Sequence, residues 1–167
     1  MKVVPAILTE KFDDFQNMVN IARGFTDYVQ VDLMDGVFVP SKSISLDALK
    51  GWERPLDLEA HLMVKDPNEC LEILKSIGTQ KVIFHFEADP DPGKVISNVK
   101  GMGMEVGLAV NPGTTIPEFE FLVPRVDSLL FLSVNPGFYG SPFIPEVLDE
   151  IRRFRTRFPS AVIGLDG

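Results

Sequence analysis

The segment "VQVDLMDG", residues 29–36, closes an apolar run with two carboxylates and a thioether. Side chains alternate along a strand, so Gln30, Asp32 and Met34 share one face. The segment "LEAHLMV" from Leu58 repeats the arrangement with Glu59, His61 and Met63, and "AVIGLDG" from Ala161 ends its apolar run at Asp166. If these faces turn to a common interior, Asp32 and His61 stand side by side at adjacent strand ends and Asp166 closes the last strand in a similar way. Two carboxylates with an imidazole and an amide between them could hold a divalent metal, and the same carboxylates could act as acid and base. The spacing admits a plainer reading as well: Asp32 caps the loop after its strand, His61 is a satisfied core histidine, and the two methionines fill space.

The elements that would have to carry these residues follow from periodicity. Apolar runs rich in β-branched residues start at Val3, Tyr28, Leu58, Lys81, Glu105, Ser128 and Ala161, and amphipathic stretches lie between them. Phe12, Phe15, Met18, Val19 and Ala22 fall on one helical face, as do Val147, Leu148, Ile151 and Phe154. "DPNECLEIL" reads as a helix start, with Asp66 as N-cap, Pro67 in the first helical position, Glu69 completing a box-like pattern and Gly78 ending the helix.

Near-continuous apolar strands call for a parallel sheet covered by helices, either an open doubly wound sheet or a closed barrel. The open nucleotide-binding kind expects a glycine-rich turn after its first strand, where this chain reads "TEKFDDF". Polar residues instead finish strand after strand: Asp32 and Asp35, His61, His85 and Glu87, Asn111, Asn135, Asp166. That is how a barrel gathers a site at one mouth.

Composition narrows the function. With 167 residues, 45% of them hydrophobic, the chain suits one domain with a substantial core, and no composition shift or linker divides it. A formal net charge of -8 argues against a nucleic-acid surface and for a small ligand. Cys70 is the single cysteine, which fits a reducing compartment, and the longest apolar runs are strand-sized, so no membrane span is expected. The expectation is a soluble cytoplasmic protein.

"VDLMDGVFVP", "HLMV", "FHFEA", "VNPGF" followed by "FIPEVLDEIRRFR", and the final "DG" resemble, in order and along the whole chain, the motif set of the ribulose-phosphate 3-epimerase family. The resemblance implies a (β/α)8 TIM barrel and a metal-dependent epimerisation at carbon 3 of a ketopentose phosphate through an enediolate. It makes Asp32 and Asp166 the proton-transfer pair and also metal ligands, with His61 a third ligand and Met34 and Met63 lining the intermediate. Asn135, Gly137, Phe138, Gly140 and Ser141 then fall in the substrate and phosphate region, and a homo-oligomer is implied for the complete form.

Several positions depart from that pattern. Gln30 stands where the family expects histidine, so it joins the implied metal set as a weaker ligand, and the choice among zinc, manganese, iron and magnesium stays open. Ala6 replaces a serine, Leu132 a methionine, and "GFYGS" with Tyr139 and Ser141 replaces the usual glycine-rich phosphate loop, where Tyr139 is expected to narrow the pocket. A barrel of this kind usually needs roughly 200 residues or more, so the eighth strand and its helix are expected to be absent from this chain. A hexulose-phosphate 3-epimerase and a non-catalytic barrel remnant remain as alternatives.

Overall fold

The computed structural model describes residues 2–138 and 140–167. Seven parallel strands form one sheet in sequence order: β1 (Ala6–Ile7), β2 (Tyr28–Met34), β3 (Asp57–Met63), β4 (Lys81–His85), β5 (Glu105–Val110), β6 (Ser128–Leu132) and β7 (Ile163–Asp166). Helices α1 (Phe12–Ala22), α2 (Leu46–Leu49), α3 (Leu71–Ser76), α4 (Pro92–Gly101), α5 (Ile116–Phe119) and α6 (Glu146–Arg157) alternate with them. Asp32 pairs in register with His61, Met34 with Met63, and Leu132 with Asp166. β1 and β7 do not pair with each other, yet the Gln30 amide on β2 reaches Asp166 on β7 at 3.0 Å. A flat sheet would keep those strands far apart, so the sheet is strongly curled, as a TIM-type α/β fold requires.

The alternation read from the sequence sorts the side chains onto two faces. Val29, Val31, Leu33, Leu62, Phe84, Leu108 and Phe131 point outward into the layer shared with the helices. There Phe154 of α6 is fully buried, edge-on to Phe131 at 5.4 Å and stacked near Phe119 at 6.0 Å. The single tryptophan, Trp52, packs edge-on against Phe15 of α1 at 4.8 Å. Inside the curl the residues form tiers. At the floor, Glu59 accepts from Tyr28 Oη and Lys81 Nζ, each at 3.1 Å. Above it Ile83, Ala109, Leu130 and Leu132 form a small apolar cluster. Gly164 leaves room for this tier, because a Cβ there would come within 2.8 Å of Leu130 Cδ1.

Local signals explain several element ends. Asp66 accepts from the Asn68 N–H at 2.9 Å and Pro67 opens the turn, but that first turn is a 3-10 helix, Pro67–Cys70, which hands over to α3. Gly78 follows with φ +75°, a conformation that favours glycine. Asp91 and Pro92 repeat the start signal on α4, the Asp91 carboxylate accepting from Lys94 N–H at 3.1 Å. Among the described residues no helix is long and apolar enough to cross a membrane.

Candidate active site

The top tier of the interior is polar, and it sits where β2, β3, β4 and β7 end. Asp32 and His61, brought level by the β2–β3 register, meet with Oδ1 3.2 Å from Nδ1. Asp166 arrives from β7 and places Oδ2 3.4 Å from the same nitrogen. The Gln30 Nε2 donates to Asp32 Oδ1 at 2.9 Å and to Asp166 Oδ2 at 3.0 Å, so one amide ties together two carboxylates from distant strands. One ligand atom each from Asp32, His61 and Asp166 lie within 4.8 Å of one another. Gathering two hard oxygens and a borderline nitrogen this closely, largely out of water, suits a divalent metal: such a cation would neutralise charges that otherwise repel.

The electrostatics of the group agree with its geometry. Burial opposes a charge on His61, but its hydrogen bonds and charge attraction to Asp166 and Asp32 prevail, and the imidazole is raised to about 9. Burial would raise Asp166, and the hydrogen bond and charge of His61 more than offset it, holding that carboxyl below its usual range. On the far side of His61, its Nε2 lies 2.9 Å from Nε2 of His85, which is fully buried. His85 is lowered, first by burial and further by the neighbouring His61, against the opposing pull of Glu87.

Above the aspartates opens a cavity of about 330 Å³. Asp32, His61 and Asp166 form part of its wall, with Met34 and Met63, both buried, and Ala6 and Leu132. Gly137, Phe138, Gly140 and Ser141 are among the residues that the loop after β6 adds to the lining. Gly137 has φ +112°, and a Cβ there would meet Val39 Cβ at 2.9 Å, so this loop can approach the β2 loop only with glycine. Phe138 is exposed, and Asn135 is exposed and stands outside the cavity lining. Tyr139, expected to narrow this pocket, lies outside the described residues.

Two residues acquire roles that alternation alone did not give them. Asp35 is structural: its carboxylate accepts from the backbone N–H groups of Val37, Phe38 and Lys65 at 2.7, 2.9 and 2.7 Å, pinning the β2 loop to the β3 loop. His85 belongs to the polar tier, whereas the sequence pattern marks it only as one strand-end residue among several. The signal was present, since Ile83 and His85 are two apart on β4 and Ile83 is in the interior cluster.

Strand-end carboxylates around a metal-compatible centre inside a curled parallel sheet define an α/β enzyme of the TIM type. The profile of the ribulose-phosphate 3 epimerase family matches residues 2–167, and the chain belongs to that family. It is thereby an isomerase of the epimerase class. It is 34% identical to a protein of Mycobacterium bovis named ribulose-phosphate 3-epimerase, over 92% of this chain and 67% of that one. It is 35% identical to the protein of that name in Synechocystis, over 92% of this chain and 69% of the other. A cytoplasmic isoform from Oryza sativa subsp. japonica is 32% identical, over 99% of this chain and 76% of its own length.

Proposed function

We propose that the chain interconverts D-ribulose 5-phosphate and D-xylulose 5-phosphate by inverting carbon 3, with Asp32 and Asp166 as the two proton carriers. The observation that carries this reading is the pair of carboxylates from β2 and β7 at the wall of one cavity, joined by Gln30 and His61. Inversion needs a base on one face of a planar intermediate and an acid on the other, and two such groups are the least a protein can supply. A divalent ion held by Asp32, His61 and Asp166 would polarise the sugar oxygens and stabilise the negative charge left when the carbon-bound proton departs.

The protein's own groups do the rest. One aspartate accepts the proton from carbon 3 and the other returns a proton to the opposite face. Met34 and Met63 exclude water around the planar intermediate without competing for its charge. Backbone amides of the loop holding Gly137 and Gly140 are suited to receive the phosphate. Ala6 in the cavity wall, where the family pattern has a serine, favours a second reading in which a longer hexulose phosphate is accepted. The sheet itself reads as seven strands of a (β/α)8 barrel, whose remaining strand would fit between β7 and β1. Metal identity among zinc, manganese, iron and magnesium is left to titration, and a homo-oligomer is the assembly we infer. A cytoplasmic setting is supported by the name of the rice relative and by a lone, buried, unpaired Cys70.

The test is proton exchange at carbon 3 in heavy water with ribulose 5-phosphate and manganese, for the wild type, Asp32→Asn and Asp166→Asn. Epimerisation should fall by at least about a hundredfold in both variants, with exchange surviving in one of them. Exchange confined to a six-carbon phosphate selects the second reading. Full turnover in either variant removes the assignment.

A further inference from the structure

We propose that His85, braced by Glu87, is a positioning residue that fixes the proton of His61 on Nε2 and so keeps Nδ1 open toward Asp32 and Asp166 for a metal. The inference rests on the metal-site reading above. Its core is the 2.9 Å contact between the two Nε2 atoms. Two imidazole nitrogens at that distance share one proton, so one ring donates and the other accepts. The rings are nearly parallel, with centroids 5.0 Å apart, and Phe38 covers His85 with its centroid at 4.9 Å. His85 is fully buried, so water does not compete for the contact.

The outer end of the pair sets the direction. His85 Nδ1 faces Glu87 Oε2 at 3.5 Å. Glu87 is anchored through its other oxygen, which accepts from the Asn111 N–H at 2.9 Å and from the Thr114 hydroxyl. His85 Nδ1 has no hydrogen-bond partner among the described residues, and the anchored carboxylate beside it can only accept, so its charge favours the His85 proton on Nδ1 and leaves Nε2 bare. His61 must then donate from Nε2, and in its neutral form its Nδ1 carries a lone pair. The opposite arrangement sets a bare nitrogen against a carboxylate at one end and an N–H against the metal position at the other.

The experiment measures affinity for zinc and manganese alone, by competition with a chromogenic chelator, in the full chain and two variants. His85→Leu removes the acceptor, and His85→Gln replaces it with an amide oxygen while its NH2 can still face Glu87. Affinity should fall about 10- to 100-fold in His85→Leu and stay within about threefold in His85→Gln, the usual scale for a residue that orients a ligand. Nitrogen-15 spectra of the zinc-loaded wild type should show His61 protonated on Nε2 and His85 on Nδ1. Unchanged affinity in His85→Leu, or an equal loss in both variants, overturns the proposal while leaving the metal site standing. If His85→Leu does not fold, the spectra decide, and the reversed proton pattern overturns it. A wild type that binds neither ion overturns the metal site and this inference together.

Discussion

Gln30 stands where the sequence resemblance leads one to expect a histidine, and its contacts say what the amide does there. Its amide nitrogen holds both carboxylates, so the pair stays close without a second imidazole. Gln30→His exchanges that neutral bridge for a stronger ligand, and divalent metal affinity should rise by about tenfold or more. A metal titration identical to wild type would show that this side chain is outside the metal shell. Cys70 offers a test of burial instead of chemistry. Burial, with the charges of Glu69 and Asp66, pushes its thiol up to about 12. Because the thiolate is the reactive form, alkylation at pH 9 should be slow in the native protein and fast once unfolded, and should accelerate only as pH approaches the raised value. Rapid native labelling at pH 9 would contradict the packing around α3. At this scale Asp32, His61 and Asp166 were legible because a period of two fixes which side chains share a face. The Gln30 bridge was not, because it depends on how far the sheet curls between β2 and β7. His85 was legible only as one polar strand end among several, because its inward direction depends on the strand running unbroken to that residue.

Among the elements, the starts of the five central strands were legible to within a residue, while the two outer strands began late and several strands ended early. The run "VVPAIL" pairs only at Ala6 and Ile7, while Pro5 contributes a carbonyl to the Gln30 N–H at 2.9 Å. "KVIFHFEA" stops as a strand at His85 and tightens into a 3-10 turn over Phe86–Ala88, which brings Glu87 back toward the imidazole. No propensity announces that turn, since Phe and Glu suit several conformations. α6 provides the clearest energetic test. Phe154 is its central anchor, so Phe154→Ala should cost about 3–5 kcal/mol through lost transfer energy and a cavity. Urea unfolding followed by Trp52 fluorescence would measure it, and a loss below about 1 kcal/mol would mean that the aromatic layer collapses freely around the gap. The loop after β6 is tested by Gly137→Ala. A side chain at φ +112° and 2.9 Å from Val39 must displace the loop, so KM for the sugar phosphate should rise several-fold with a smaller change in kcat. An unchanged KM would place the phosphate elsewhere.

For the molecule as a whole, the two ends of the sheet matter most. β1 and β7 each pair on one side only among the described residues, and exposed Val3, Val162 and Leu165 lie at or near those ends. Unpaired edges beside apolar side chains recruit other chains. The 167-residue chain should therefore self-associate with rising concentration, and Leu165→Lys should reduce that association in size-exclusion chromatography. A strictly monomeric wild type would show the edges to be protected. Parallel alternation of strand and helix made the architecture readable, whereas the approach of β7 to β2 is a property of accumulated twist that no local pattern encodes. The bridge from Gln30 to Asp166 joins residues 136 apart in sequence. During synthesis, Asp32 and His61 therefore wait until the chain has been extended to Asp166 before their partner emerges, and ligand cannot template the early steps. It can only latch a sheet that has already rolled up. Added metal or sugar phosphate should accordingly leave the refolding rate nearly unchanged and slow unfolding, so that the protein's lifetime, more than its birth, answers to its substrate.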